Sequence, residues 1–169
     1  MSEFWRTIIW QQFGAAIDML DNAIRACPDA LWRSSVWEDP TDAPEYTEFW
    51  FVAYHTISWA NRYLSAARDE FTPPAPFVVG RLPERPYTKE EVVWYLDFCR
   101  RKAQATFEAM TDEKAGQPYE FPWGGEMSFA ELQLYNMRHI QEHAAQLSLH
   151  LGQRDVAAPD WVSRAGVVE

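Results

Sequence analysis

The placement of proline-rich stretches constrains the fold of this chain more than any other sequence feature, because proline ends or kinks a helix. Between these stretches, four segments carry apolar residues at the three- and four-residue spacing of an amphipathic helix. Strand patterns are almost absent, and only residues 77–79 resemble a short extended segment. We therefore predict an all-α four-helix bundle. The predicted helices cover residues 3–27, 43–68, 88–110 and 128–152.

The starts of three predicted helices have the sequence of a capping box. In this motif a Ser, Thr or Asp side chain accepts from a backbone N–H three residues on, where a Glu side chain reaches back. Three such pairs precede the second, third and fourth helices: Asp42 with Glu45, Thr88 with Glu91, and Ser128 with Glu131.

The connection at residues 69–87 contains five prolines and is too long for a simple turn. About twenty extended residues are long enough to recross a helix of similar length, which spans ~33 Å. The connection therefore permits, without requiring, an up-down-down-up order in which the second and third helices are parallel. The whole chain, residues 1–169, is expected to form one domain. The tail, residues 153–169, has no strong pattern, although Trp161 and Val162 are expected to dock on the bundle.

Charge and composition exclude several classes of partner. The net charge of −10 argues against binding to nucleic acid and to anionic membrane surfaces. No apolar run approaches the ~18 residues of a membrane helix, and no signal peptide is recognisable. Cys27 and Cys99 lie far apart within helical patterns, which favours buried free thiols over a disulfide. We expect a cytoplasmic protein.

Three of the four histidines fall on the fourth predicted helix. His139 and His143 are one turn apart at the edge of its apolar face, a spacing that suits two ligands of one metal ion. His55 lies near the middle of the second helix, level with them in a bundle. The three imidazoles predict a metal site with one open coordination position, although hydrogen-bonded core histidines would give the same pattern. His150 lies ~10 Å along the axis from His143 and is excluded from the site.

Two other metal motifs do not fit the sequence. Residues 139–143 spell H-x-x-E-H, but proteases with that motif need a carboxylate ligand far downstream, and only a short segment follows. A ferritin-like di-iron site needs Glu three residues before His, a spacing that the chain lacks. Glu142 lies about 60° or more away from the ligand edge of its helix, so it is a poor candidate for a general base. No catalytic residue is predicted.

A histidine on the second helix, a long crossover and the sequence RHIQEHAAQL at residues 138–147 together resemble the DinB/YfiT-like superfamily of metalloenzymes. The resemblance implies an up-down-down-up four-helix bundle. It also implies one divalent metal ion, zinc or nickel, held by His55, His139 and His143. Gln146 lies one turn beyond His143. It either forms a hydrogen bond that orients a ligand imidazole or a bound water, or it is simply a polar residue at the helix edge.

The resemblance also implies a function. It indicates a metal-dependent enzyme that acts on a small molecule, either a thiol S-transferase with a thiol substrate or a hydrolase, and it indicates a homodimer. The alternative is a non-catalytic, stress-related helical dimerisation module with a structural or vestigial metal site. A structural site is closed by a fourth protein ligand, whereas a catalytic one stays open. The sequence offers no obvious fourth ligand, which favours the enzyme.

Overall fold

A computed structural model describes residues 1–65, 71–121, 125–157 and 159–166 of the chain. The protein is mainly helical, which confirms the predicted fold class. Its helices are α1 (Glu3–Ala26), α2 (Phe49–Ser65), α3 (Lys89–Glu108), the short α4 (Asp112–Gly116) and α5 (Phe129–Gly152). The fourth predicted helix is therefore α5. One small antiparallel hairpin, β1 (Pro118–Glu120) with β2 (Glu126–Ser128), precedes it.

The starts of α3 and α5 follow the predicted caps. The Thr88 hydroxyl accepts a hydrogen bond from the Glu91 N–H at 3.3 Å, and the Glu91 carboxylate accepts from the Thr88 N–H at 2.8 Å. The Ser128 hydroxyl accepts from the Glu131 N–H at 3.2 Å. These bonds satisfy N–H groups that a first helical turn leaves unpaired, so local sequence alone locates both starts.

The predicted start of the second helix is wrong. Residues Pro44–Thr47 form a separate 3₁₀ turn, and α2 begins only at Phe49. Asp42 does not cap this turn; its carboxylate accepts from the neighbouring Ala43 N–H at 2.9 Å. The predicted end of the second helix, residues 66–68, and the first residues of the 69–87 connection lie outside the described residues.

Backbone groups of the preceding loop take the place of the predicted side-chain cap. The N–H groups of Phe49 and Trp50 donate to the carbonyls of Ser34 and Trp32 at 2.9 and 3.0 Å. The first turn of α2 is thereby satisfied by residues about fifteen positions earlier, a pairing that no local spacing reveals. The hairpin was also missed, because strands of three residues carry too little alternation to be recognised. Residues 77–79 form no strand.

The long helices surround one apolar core, to which α1, α2, α3 and α5 all contribute. α1 and α2 each contact both α3 and α5. Along α1 and α3 the contacts run in opposite directions: Phe13 packs on Phe107, and Asp18 pairs with Arg100 at 2.8 Å. Along α2 and α3 the contacts run in the same direction. The Cys99 thiol contacts the Ile57 carbonyl, and the Lys102 ammonium group contacts the Asn61 carbonyl.

Both cysteines are buried free thiols, as the sequence predicts. Burial raises the pKa of the Cys27 thiol to about 11 and that of the Cys99 thiol further, so neither is a reactive thiolate at neutral pH. Within the described part of the chain, no helix has both the length and the apolar character needed to span a membrane.

The described part of the tail lies along α1. The Ala165 N–H donates to the Gln11 carbonyl at 2.9 Å, and Val162 is partly buried against the core. The prediction that Val162 docks is confirmed, whereas Trp161 is 72% exposed and its predicted docking is wrong. Gly14 permits the close approach, because a Cβ built there would lie 2.6 Å from the Cβ of Ala165.

The substitution Gly14→Ala is expected to displace the tail, because the new methyl group would collide with that of Ala165. The tail should move rather than α1, because α1 is packed into the core. Hydrogen exchange at the backbone N–H groups of Ala165 and Gly166, which are hydrogen-bonded to α1, should accelerate at least about tenfold, with a cost of about 1 kcal/mol in stability. The double variant Gly14→Ala/Ala165→Gly removes the colliding methyl group and should restore protection. Unchanged exchange in the single variant would contradict the packing described for Gly14.

Candidate metal centre

The side chains of His55, His139 and His143 come together between α2 and α5. One imidazole nitrogen of each lies within 4.8 Å of those of the other two. The Nε2 atoms of His55 and His139 are 3.4 Å apart, and the rings of His139 and His143 are 4.6 Å apart between centroids. The cluster therefore contains the residues that the sequence predicts for it.

Two buried amide side chains fix how α2 and α5 align at this level. The Gln133 side chain donates to the Tyr63 carbonyl at 3.0 Å, and the Asn136 side chain donates to the Ala60 carbonyl at 3.2 Å. The later residue on α5, Asn136, contacts the earlier residue on α2, Ala60, so the two helices are antiparallel here. His55 consequently faces the turn of α5 that carries the other two histidines.

The spacing of the imidazole nitrogens fits a single small metal ion. Two nitrogens bound ~2.05 Å from one ion at the tetrahedral angle lie ~3.3 Å apart. The 3.4 Å between the Nε2 atoms of His55 and His139 is close to this value. The donor nitrogens of the other two pairs are at most 4.8 Å apart, and a modest rotation of the rings would shorten that distance. Three nitrogen donors without a carboxylate are a set typical of zinc, copper and nickel rather than magnesium or calcium.

The surroundings of the cluster keep its imidazoles neutral. Burial, with a smaller contribution from His143, lowers the pKa of His55 from 6.5 to about 4. Burial and the two neighbouring histidines lower the pKa of His139 to about 3. Burial also lowers the pKa of His143, although its hydrogen bond to Gln146 and the charge of Glu142 oppose this. Neutral imidazoles have lone pairs available for a metal ion at neutral pH.

Gln146 contacts His143 directly. Its side-chain oxygen lies 2.7 Å from Nδ1 of His143, so Nδ1–H donates to it and Nε2 carries the free lone pair. This is the arrangement expected of a residue that orients a metal ligand by binding the ring nitrogen that does not face the metal. Glu142, in contrast, is exposed and lies outside the cluster.

Loss of this hydrogen bond is expected to weaken metal binding without abolishing it. In Gln146→Leu the imidazole of His143 loses the partner that fixes its tautomer, so zinc affinity should fall about 10- to 100-fold. Competition with a chromophoric chelator measures this affinity. Gln141→Leu, on the same helix but outside the cluster, is the matched control and should bind zinc like the parent. Equal affinities in all three proteins would mean that Gln146 is only a polar edge residue.

His150 lies outside the cluster, as predicted. It is 2% exposed, and its Nε2 lies 2.8 Å from the hydroxyl of Ser34. Because that hydroxyl donates to the Leu31 carbonyl, it accepts from Nε2–H of His150. The residue thus anchors the loop before α2 to the end of α5 and plays a packing role.

The histidine cluster opens on a cavity of about 360 Å³, which His55 and His143 line. Five aromatic side chains form much of the wall, and charged side chains lie among the other lining residues. Beyond the two histidines, the cavity is lined by Trp37, Asp39, Asp42, Tyr46, Thr47, Phe51, Val52, Tyr54, Ser58, Trp59, Gly80 and Arg81. The sequence does not indicate a role in the site for any of these side chains, because many lie in irregular loops whose path has no periodic signal.

Comparison with known proteins supports the assignment that the site suggests. The sequence model of the DinB superfamily matches residues 12–147, a segment that contains all three clustered histidines and Gln146. A search of curated proteins finds no match. Since the matched segment is most of the chain and encloses the metal-site residues, this protein belongs to the DinB superfamily.

Proposed function

We propose that this protein is a metal-dependent enzyme that acts on a small molecule, either by transferring a group to a thiol or by hydrolysis. In this proposal His55, His139 and His143 hold one divalent zinc or nickel ion. The observation that carries the proposal is the cavity beside the cluster, because two of the three histidines form part of its wall. A site buried only for stability would not need such an opening.

The residues of the site have separate tasks in this proposal. When bound, the metal ion supplies Lewis acidity, which increases the acidity of a thiol or a water molecule beside it. The three histidines hold the ion, and Gln146 keeps Nε2 of His143 directed into the cluster. Phe51 and Trp59 flank His55 with ring centroids 6.0 and 6.4 Å away and limit the access of water.

A purely structural metal site is less well supported. Such sites are usually closed by four protein ligands. Among the described residues, no Cys, Asp, Glu or fourth His joins the three histidines. A metal ion held by these three histidines would therefore keep a coordination position for a substrate, which favours an enzyme over a non-catalytic dimerisation module.

The proposal includes an up-down-down-up four-helix bundle as the scaffold of a single-domain, cytoplasmic homodimer. The order is supported by contacts that run oppositely between α1 and α3 and between α2 and α5, but in the same direction between α2 and α3. Exposed aromatic residues on the first turn of α1, Phe4 and Trp5, suit contact with a second copy.

The decisive experiment uses untagged protein that is stripped of metal and then incubated with zinc or nickel. About one equivalent per chain should remain after gel filtration, and less than about a tenth would contradict the metal site. The loaded protein should then accelerate either the reaction of a small thiol with an aryl chloride or the hydrolysis of an aryl ester. Stripped protein and His139→Ala are the controls. Full loading with neither activity would favour the structural alternative.

A further inference from the structure

The cavity beside the histidine cluster has an uneven distribution of charge. Its lining contains two carboxylates, Asp39 and Asp42, and one guanidinium, Arg81. The rest of the wall near the histidines is mainly aromatic. A charged side chain at such a wall either serves the protein's own structure or is available to a ligand.

The two carboxylates serve the loop that carries them. One oxygen of Asp39 accepts from both the N–H and the hydroxyl of Thr41, at 2.9 and 2.6 Å. These bonds lower the pKa of Asp39. Asp42 accepts from the N–H of Ala43 at 2.9 Å. Both residues thus stabilise turns in front of α2, as short acidic side chains commonly do.

Arg81 has no comparable task. It is exposed, and within the described part of the chain it makes no hydrogen bond or ion pair. Arg85, in the same loop, is in contrast engaged by the protein itself, because it pairs with Glu91 at 2.6 Å. A guanidinium that lines a cavity without a protein partner has its planar set of donors available for an anion.

We propose that Arg81 binds a carboxylate of the substrate, so that the substrate is a small organic acid whose reacting thiol or ester reaches the histidine cluster. This inference rests on the proposed function, since it assumes that the cavity is the substrate site. The aromatic wall then packs against the part of the molecule between its two ends. A volume of about 360 Å³ is at the small end of ligand pockets, which suits a compact molecule.

The charges favour a carboxylate over the other charged groups. A phosphate near −2 would approach two carboxylates and a protein of net charge −10 with only one guanidinium to oppose them. An ammonium group would be repelled by Arg81, and one oxygen of each aspartate already accepts a backbone or hydroxyl hydrogen. A single carboxylate matches one guanidinium in charge and in its two-pronged geometry.

The test measures the affinity of zinc-loaded protein for mercaptopropionate and for its uncharged methyl ester by calorimetry. A thiolate is a strong zinc ligand whichever reaction the enzyme catalyses, so both probes report on the site. The parent should bind the acid about tenfold more tightly than the ester, as expected for one partly exposed charge-assisted contact. Arg81→Gln should lose this preference while its affinity for the ester stays unchanged. Arg101→Gln, an exposed arginine on α3 that does not line the cavity, should keep it.

The outcomes separate this inference from the proposed function. If the parent binds both thiols equally, or Arg81→Gln keeps the preference, the role of Arg81 is wrong and the metal-dependent site stands. If neither thiol binds to fully loaded protein, the proposed function fails and the inference fails with it. Inorganic phosphate that displaces the acid more effectively than acetate does would overturn the choice of a carboxylate. Circular dichroism and zinc content confirm that each variant is folded and loaded.

Discussion

Replacing His55 with alanine is expected to remove most of the bound metal while leaving the helices folded. His55 is the only cluster ligand on α2, and the two remaining imidazoles both lie on α5. A site with two ligands loses a strong metal–nitrogen bond, so its affinity should fall by several orders of magnitude. Metal analysis after gel filtration measures the loss directly.

The same variant should lose the stabilisation that metal gives to the folded state. At a free zinc concentration about 100 times the dissociation constant, the parent gains ~2.7 kcal/mol from binding, whereas the variant gains almost nothing. The metal-free variant should remain helical, because a core built from α1, α2, α3 and α5 does not depend on the ion. Thermal melts with and without zinc show the difference.

His150→Ala is the matched control for this experiment. This substitution also removes one imidazole, but the ring of His150 binds the Ser34 hydroxyl and does not belong to the cluster. The variant should lose some stability, because the hydroxyl of Ser34 loses its donor, and should still bind one equivalent of zinc. A His55→Ala protein that binds zinc as tightly as the parent would place the third ligand elsewhere.

The histidine cluster was predictable because each step to it is local or periodic. The four-residue spacing of His139 and His143 places them on one face, and a mid-helix His55 lies at the same level of an antiparallel neighbour. The hydrogen bond between Gln146 and His143 follows from the same helical geometry, although the sequence did not distinguish it from an ordinary edge residue.

The parts that sequence analysis missed depend on contacts between distant segments. α2 begins at Phe49 because carbonyls of Trp32 and Ser34 receive its first N–H groups, whereas the capping sequence at Asp42 predicted an earlier start. The cavity brings Trp37 and Arg81 beside His55 from two loops without periodicity. Only the folded chain reveals that these side chains share one wall.

A second large effect is expected from acid acting on the metal-free protein. The pKa of His55 is about 4 and that of His139 about 3 in the folded chain, against 6.5 for a solvated imidazole. Above pH 6.5 these residues are neutral in both the folded and the unfolded chain, and the full stability is present. As pH falls below 6.5 the unfolded chain binds protons that the folded chain does not, so the free energy of unfolding decreases until the folded pKa is reached.

The expected loss is about 2 kcal/mol for each of these two histidines between pH 7 and pH 5. Most carboxylates remain ionised over this range, so the change is largely attributable to histidine. Urea denaturation of metal-free protein at both pH values measures this loss. The variant His139→Leu removes one of the two groups. Apart from the loss that His143 and His150 cause, it should therefore lose about half as much free energy of unfolding as the parent. A free energy of unfolding that is the same at pH 7 and pH 5 would mean that these imidazoles take up protons in the folded chain. Burial would then not be what keeps them neutral for a metal ion.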